Sequence, residues 1–203
     1  MLKTCLSLVL FFTSALICAQ DKGNYILIIE NDSVRIDLNN EFKYTITSGK
    51  EVNFKLIQPD ILTYADDMIS FDHDNSLSVS NSVIDEDIEQ CMVMQSTGNG
   101  FLVQKYKKIN PAGFTRLMLD EITKESISYG YTSEETPFLK TLLSGQTIEG
   151  IQATLTYRGE KEIYTVATYG EKDKGVIVMT MSLSDNKTDH RIIDLFLETL
   201  QLK

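Results

Sequence analysis

The sequence predicts an α+β fold in which an antiparallel β-sheet carries helices on its faces. Residues 151–183 form three runs of β-favouring residues separated by two charged, glycine-containing turns, as consecutive antiparallel strands do. Residues 25–38 comprise a β-rich apolar run, a turn and an alternating segment, and residues 42–56 alternate apolar and polar side chains on both sides of a short turn, which predicts two further hairpins. Two other segments, one after Asn110 and one near the C terminus, carry apolar residues at helical spacing instead.

The three strands of residues 151–183 differ in how they are patterned. The first alternates strictly, from Ile151 and Gln152 to Tyr157 and Arg158, so it should have one buried and one exposed face. The next two carry apolar residues on both faces, so we expect them to lie deeper in the sheet.

Residues 1–20 have the pattern of a secretory signal peptide, with a Lys near the start, an apolar run and then small residues. The apolar run is short for a membrane span, which needs about 20 residues. We therefore expect an exported protein, periplasmic or extracellular, whose mature chain begins near Gln20 or Asp21. The alternatives are an uncleaved anchor and a lipoprotein with its lipid on Cys18, although Ile17 stands where a lipoprotein signal has a small residue.

Residues 21–203 are predicted to form a single α+β domain, a size that one hydrophobic core can support. The chain has 19 Lys and Arg against 29 Asp and Glu. Since nucleic-acid binding needs clustered basic residues, this acidic balance argues against such partners. Cys91 is the one cysteine after the leader, and its apolar neighbours predict a buried thiol rather than a nucleophile.

Three further segments have less regular patterns. Residues 60–68 place apolar side chains at helical spacing, which predicts a short helix or turn over a sheet edge. Residues 82–98 favour a helix over a strand, because Ser82 resembles a cap and Ile84, Ile88 and Cys91 recur at i, i+4 and i+7. Residues 128–138, with Gly130, Tyr and Thr residues around Ser133, and Pro137, suggest a mobile connection.

A strand is predicted at residues 101–109, and two helices are predicted with clearer start signals. Asn110 followed by Pro111 is typical of a helix N terminus. The second helix is expected to be capped by Thr188 or Asn186. Its apolar stripe, expected to cover the sheet, comprises Ile192, Ile193, Phe196, Leu197 and Leu200.

The polar candidates for a metal site are weak. Asp72, His73 and Asp74 resemble the start of a calcium loop, but the Gly and the bidentate Glu that such a loop needs are replaced by Leu77 and Val83. We predict a solvated acidic turn there. The acids of residues 85–89 are interpreted as the first turn of a helix, where they favour its dipole. No metal or cofactor is predicted.

Catalysis has little support in the sequence. His73 and His190 are the two histidines, and neither stands beside a nucleophile signature or in a zinc-ligand spacing. The sequence therefore favours a protein without catalytic activity, although a pair of carboxylates could still hydrolyse glycosides. The aromatic residues Tyr129, Tyr131 and Phe138 are candidates for a partner-binding surface, against the alternative that they serve the sheet.

Residues 101–200 resemble the PsbP/Mog1-like family of α/β/α sandwich domains. The resemblance rests on the order of a strand FLVQKYKKI, a helix beginning at NPAGF, strands EIYTVATY and GVIVMTM, and a closing helix RIIDLFLETLQL. It implies a binding, assembly or chaperone-like module that contacts another envelope or secreted protein through a groove beside the sheet. The alternatives are a small-molecule or lipid carrier and a hydrolase using a carboxylate or a His.

Overall fold

A computed structural model describes residues 25–29, 32–45, 49–183 and 187–203. The chain divides into two compact units, the first ending at Gln58 and the second running from Pro59 to Lys203. The predicted signal peptide and Cys18 lie outside the described residues. The expectation of one domain over residues 21–203 stays a prediction, and each unit is described by itself.

The first unit contains two β-hairpins. Strands β1 (Tyr25–Ile29) and β2 (Asp32–Ile36) pair antiparallel, and so do β3 (Glu41–Thr45) and β4 (Glu51–Lys55). In the second hairpin Phe42 stands directly opposite Phe54, and their rings stack with centroids 6.0 Å apart. Both hairpins predicted for this part of the chain are confirmed.

The second unit is built on a seven-stranded antiparallel sheet, the main sheet. Its order across the sheet is β10-β11-β12-β13-β9-β8-β7. The strands are β7 (Ser80–Asp85), β8 (Ile88–Met94), β9 (Gly100–Tyr106), β10 (Thr132–Thr141), β11 (Thr147–Tyr157), β12 (Glu160–Gly170) and β13 (Gly175–Ser182). The predicted three-strand meander is confirmed as β11, β12 and β13, and the predicted strand at 101–109 as β9.

A smaller sheet has the order β14-β6-β5, with β5 (Ile61–Ala65), β6 (Ile69–Asp74) and β14 (Gln201–Leu202). It joins the last residues of the chain to the first strands of the second unit. Lys203 N donates to the carbonyl of Met68 at 2.9 Å, which extends this pairing to the C terminus.

The predicted helix start at Asn110 is confirmed. The Asn110 side chain accepts a hydrogen bond from the amide of Ala112 at 3.0 Å, and a 3₁₀ turn (Pro111–Phe114) leads into α1 (Thr115–Tyr129). Helix α1 ends at Gly130, whose φ of 116° is accessible mainly to glycine. The closing helix, α2 (Lys187–Thr199), is confirmed as well.

The two helices pack on opposite faces of the main sheet. Helix α1 lies against β11 and β12, whereas α2 lies against β6, β9 and β13. The buried residues on the α1 face are Tyr106, Leu119, Ala153, Leu155, Tyr164, Val166, Ile177 and Met179. On the α2 face, Phe101 stacks on Phe196 with centroids 3.7 Å apart, and Phe71 meets both rings edge-on. The mixed α+β class is thus observed.

Three local predictions are wrong. Residues 60–68 form strand β5 and a turn, and residues 82–98 form most of the β7–β8 hairpin; neither contains a helix. The segment predicted as a mobile connection, residues 128–138, ends α1 and then becomes β10, which pairs with β11 over its full length. Within the described residues, no helix is long and apolar enough to cross a membrane.

Candidate binding groove

A groove of about 490 Å³ opens on the α1 face, at the end of the main sheet formed by β10. We call it the β10 groove. Its floor is made by β10, β11 and β12, and one side is made by the 3₁₀ turn and the first residue of α1. The floor residues are Pro137, Phe138, Leu139, Glu149, Gly150, Ile151 and Thr168, and the side residues are Ala112 and Thr115.

Strand register determines which side chains form this floor. Leu139 stands opposite Glu149, and Glu149 stands opposite Thr168, so these three side chains make one row across the sheet. Pro137 and Ile151 make the neighbouring row, two residues along each strand. Because side chains alternate between faces, both rows lie on the α1 face, to which Ile151 contributes core contacts.

Gly150 keeps the floor of the groove close to the backbone of β12. A Cβ atom at this position would lie 1.9 Å from the carbonyl oxygen of Val166 and 2.6 Å from Cα of Ala167. Any side chain would therefore push β11 away from β12. The close approach is possible because residue 150 is glycine.

An ion pair holds the start of α1 to β10 beside the groove. The Arg116 guanidinium donates to both carboxylate oxygens of Glu135, at 2.8 and 2.6 Å. These hydrogen bonds hold the pKa of Glu135 below its ordinary value. A second contact, 3.3 Å between the hydroxyls of Thr115 and Thr168, joins the helix start to the floor. A bidentate pair of this kind fixes geometry as well as charge.

Apolar surface is exposed at the groove. Leu139 on its floor is 70% exposed. Exposed apolar side chains mark interaction surfaces when they belong to a larger apolar patch. Glu149, also exposed, has no ion-pair partner among the residues that the structure describes. The groove thus presents leucine and isoleucine side chains around one carboxylate.

Pro137 affects how a partner could use β10, which is an edge of the main sheet. Proline has no amide hydrogen, so a strand added along this edge would meet a gap in its ladder of hydrogen bonds. The side chains on the groove floor are therefore a better contact surface than the backbone edge of β10.

The three aromatic residues predicted to bind a partner lie in two places. Phe138 lies on the strand that borders the groove, but its side chain packs against the core of the α2 face, opposite to the groove floor. Tyr129, the last residue of α1, and Tyr131, just after that helix, pack with Tyr157. Ring centroids in this tyrosine cluster are 5.2 to 6.3 Å apart. Partial burial and the carboxylates of Glu162 and Glu160 raise the pKa of Tyr131 to about 12.

The prediction of an acidic turn at Asp72, His73 and Asp74 is wrong, because all three residues belong to strand β6. Their side chains alternate, and His73 is buried beside Phe71 with Nδ1 2.9 Å from the carbonyl oxygen of Asp74. Asp72 accepts from the Thr63 hydroxyl at 2.6 Å. The strand separates the histidine from the two carboxylates, and no group of three potential ligands among the described residues is placed to hold a metal.

The acids of residues 85–89 cap no helix, because they form the turn of the β7–β8 hairpin and the start of β8. Glu89 instead accepts hydrogen bonds from Lys105 at 3.2 Å and from Lys107. Lys105 is 3% exposed and also pairs with Asp66 at 2.6 Å. We did not predict this buried ion pair. The sequence did contain a signal for it, because Lys105 lies on the same face of strand β9 as the apolar residues Phe101 and Val103, where a lysine needs a charged partner.

Tyr64 and Cys91 adjoin the Lys105 pair. The Tyr64 hydroxyl lies 3.0 Å from Asp66 Oδ2 and 2.8 Å from Asn81 Oδ1. Burial and the hydrogen bond with Asp66 raise the pKa of Tyr64 to about 12. Burial likewise raises the pKa of Cys91 to about 11. The prediction that Cys91 is buried is confirmed, and its thiol stays protonated at neutral pH.

Comparisons with known proteins add little. No protein-family model matches the chain. No curated protein matches it either. A crystal structure of a protein from Bacteroides thetaiotaomicron VPI-5482 is similar over 66% of this chain and 45% of that chain, with 9% sequence identity and a TM-score of 0.34. The chain thus spans less than half the length of that protein, and a TM-score of this size is no argument for a shared fold or function.

Proposed function

We propose that this chain is an exported, non-catalytic binding module that holds another envelope or secreted protein in the β10 groove. The observation that carries the proposal is the open apolar floor of the groove, on which Leu139 is 70% exposed next to the carboxylate of Glu149. A partner segment with apolar side chains and one basic side chain would cover the leucine and pair with the carboxylate.

The finer fold assignment is also a proposal. We propose that the second unit is a PsbP/Mog1-like α/β/α sandwich. The packing of α1 and α2 on opposite faces of one antiparallel sheet supports it. Fold alone carries no function, so the binding role rests on the groove and not on the resemblance.

The two alternative functions have weaker support. A lipid or small-molecule carrier needs an enclosed apolar cavity, whereas the β10 groove is open to solvent. A His-based hydrolase needs a nucleophile within hydrogen-bond reach of the imidazole, but the contact found at His73 Nδ1 is a backbone carbonyl. The side chain of His190 lies outside the described residues.

Photo-crosslinking tests the binding role. A photoreactive phenylalanine analogue at position 139 should form a specific crosslink to a partner protein in intact cells, because that side chain lies on the groove floor. The same analogue at position 117 is the control, since Leu117 is 65% exposed on α1 but does not line the groove.

The crosslink should disappear when Glu149→Lys is added and persist with Glu125→Lys, an exposed acid on α1. Equal crosslinking at positions 139 and 117, or a Glu149→Lys variant that crosslinks normally, would contradict the proposal.

Export has its own test. Intact-mass measurement on cell fractions should find a mature chain beginning near Gln20 or Asp21 outside the cytoplasm. A mass increased by a lipid on Cys18 would favour the anchored alternative, and full-length protein in the cytoplasm would exclude export.

A further inference from the structure

The tyrosine cluster, formed by Tyr129, Tyr131 and Tyr157, lies at the other end of α1 from the β10 groove. Tyr129 is the last residue of the helix and is 70% exposed. The centroid of the Tyr157 ring is 5.2 Å from that of Tyr129 and 5.3 Å from that of Tyr131. The cluster is therefore an aromatic surface open to solvent, and tyrosines in such a setting are enriched where proteins bind each other.

Strand register places two carboxylates on the same side of the sheet as these rings. Glu160 is the direct partner of Tyr157 in the pairing of β11 with β12, and Glu162 lies two residues further along β12. Because side chains alternate, both carboxylates project from the α1 face, whereas Lys161 between them projects from the other face. The Tyr131 hydroxyl donates to Glu160 Oε2 at 3.4 Å, so the carboxylates adjoin the cluster.

The surroundings of the cluster carry an excess of negative charge. Glu162 accepts hydrogen bonds from the hydroxyls of Ser126 and Tyr164, at 2.7 and 3.0 Å. Neither Glu160 nor Glu162 has an ion-pair partner in the part of the chain that the structure describes. The C terminus of α1 adds the negative end of the helix dipole, and residues 126–129 include no basic side chain to offset it. This surface should therefore attract cations.

One cation of the chain already lies against the cluster. The Arg158 guanidinium stands over the Tyr157 ring, with Cζ 5.0 Å from the ring centroid. Arg158 extends from the β11–β12 turn with a φ of 53°, a left-handed conformation that is uncommon for residues other than glycine. The contact shows that a guanidinium fits against these rings. It covers Tyr157 and leaves the exposed ring of Tyr129 open to a second guanidinium.

From this arrangement we propose that the tyrosine cluster binds a basic protein segment that carries at least two arginines. One guanidinium stacks on the Tyr129 ring, and another pairs with Glu160, the more exposed of the two carboxylates. Lysine fits less well, because an ammonium group has no planar face to stack and no fork of donors. This surface is additional to the β10 groove and does not depend on it.

The number of arginines follows from the strength of each contact. A cation over an exposed ring changes affinity only about two- to fivefold, and an exposed ion pair has an effect of similar size. A single arginine would therefore bind too weakly to hold a partner. Two arginines in one segment bind together, because the first contact raises the effective concentration of the second side chain.

NMR titration of the full chain with acetyl-Arg-Arg-Arg-amide tests the inference. At about 0.15 M salt, exposed charges more than about 8 Å apart are largely screened, so local contacts dominate. Saturable shifts should concentrate at Tyr129, Tyr131 and the β11–β12 turn, and acetyl-Lys-Lys-Lys-amide should bind at least about threefold more weakly. Tyr129→Ser should weaken binding of the arginine peptide about two- to fivefold. The double variant Glu160→Gln/Glu162→Gln should weaken it about fivefold.

Glu134→Gln/Glu198→Gln is the matched control, because it removes the same charge from two exposed acids, one on the opposite face of the sheet and one on α2. It should leave the affinity unchanged. Thermal unfolding of each variant confirms that it is folded before the titration is interpreted. Shifts spread over the acidic surface without saturation would overturn the inference. Equal affinities for the two peptides, equal losses in the two double variants or an unaffected Tyr129→Ser protein would do so as well.

Discussion

At the scale of single residues, the most consequential feature is the buried Lys105. A buried ammonium is tolerated only when charged partners surround it, and here Asp66 and Glu89 do so. Asp66 Oδ1 also accepts from the amides of Met68 and Ile69, at 2.8 and 2.9 Å. The network therefore joins the β5–β6 turn to strand β9, and it connects the two sheets of the second unit.

Replacing Lys105 by Met should destabilise the second unit by about 2 kcal/mol or more, because the mutation leaves the half-buried Asp66 without its counter-charge. Lys108→Met is the control, since the Lys108–Asp87 pair is exposed at the lysine end, and it should change the free energy of unfolding by less than about 1 kcal/mol. Urea unfolding at neutral pH measures both. A Lys105→Met protein as stable as the control would show that the pair contributes nothing.

The same pair predicts a pH dependence. Burial alone would raise the pKa of Asp66, but the hydrogen bonds from Lys105 and two amides hold it below 3.8, so its stabilisation is lost as the pH falls through the folded-state value. Burial alone would lower the pKa of Lys105, but its hydrogen bonds to Asp66 and Glu89 raise it above 10.5, so that stabilisation is lost at higher pH.

The difference in unfolding free energy between wild type and Lys105→Met should therefore be constant near neutral pH and shrink below pH 3.8 and above pH 10.5. Urea unfolding of both proteins across this range checks the prediction. If the difference in unfolding free energy did not change with pH, the mutation would act through packing and not through the ion pair.

At the scale of the elements, the sequence predicted the helices with one apolar face and the strands bounded by clear turn residues, including β12 and β13, which are buried on both faces. Strand β10 was missed because nearly every residue in it is exposed, so its sequence has no alternation, and its place in the sheet comes from pairing with β11. Strand β8 was missed for the opposite reason: Cys91 to Met94 is continuously apolar, which hides the period of two on which Cys91 and Val93 are buried.

The candidate sites were less predictable than the elements. Phe138 was proposed from its aromatic character, but its side chain packs on the α2 face, whereas the groove residues of β10, β11, β12 and the start of α1 are brought together only by the strand register. Arg116 and Glu135 are 19 positions apart, so their ion pair has no local signature. The residues of such a site are visible in the sequence, but the strand register that brings them together is not.

In helix α2, we expect one side chain, that of Phe196, to contribute strongly to the free energy of unfolding. Phe196 is fully buried and contacts Phe101 and Phe71, so Phe196→Ala should cost about 3 to 5 kcal/mol through lost packing and a residual cavity. Glu198→Ala, on the exposed side of the same helix, should cost less than about 0.5 kcal/mol. Chemical denaturation measures both, and similar losses for the two variants would place α2 outside the core.

At the scale of the whole molecule, the position of the two cores in the chain predicts which part can fold alone. The buried residues of the α1 face run from Tyr106 to Met179, and those of the α2 face run from Ile69 to Leu202. Both sets lie entirely after Pro59, where the second unit begins. All three strands of the small sheet belong to the same unit.

A fragment comprising residues 59–203 should therefore fold by itself, because it contains every residue of both cores and is of ordinary domain size. Its thermal unfolding, followed by calorimetry and near-UV circular dichroism, should be one cooperative transition within about 5 °C of the corresponding transition of the mature chain. A matched fragment ending at residue 186, which lacks α2 and β14, should lose that transition because Phe101 and Phe71 become exposed. If the 59–203 fragment unfolded without cooperativity, residues before Pro59 would be part of the folding unit, in agreement with the single-domain prediction for residues 21–203.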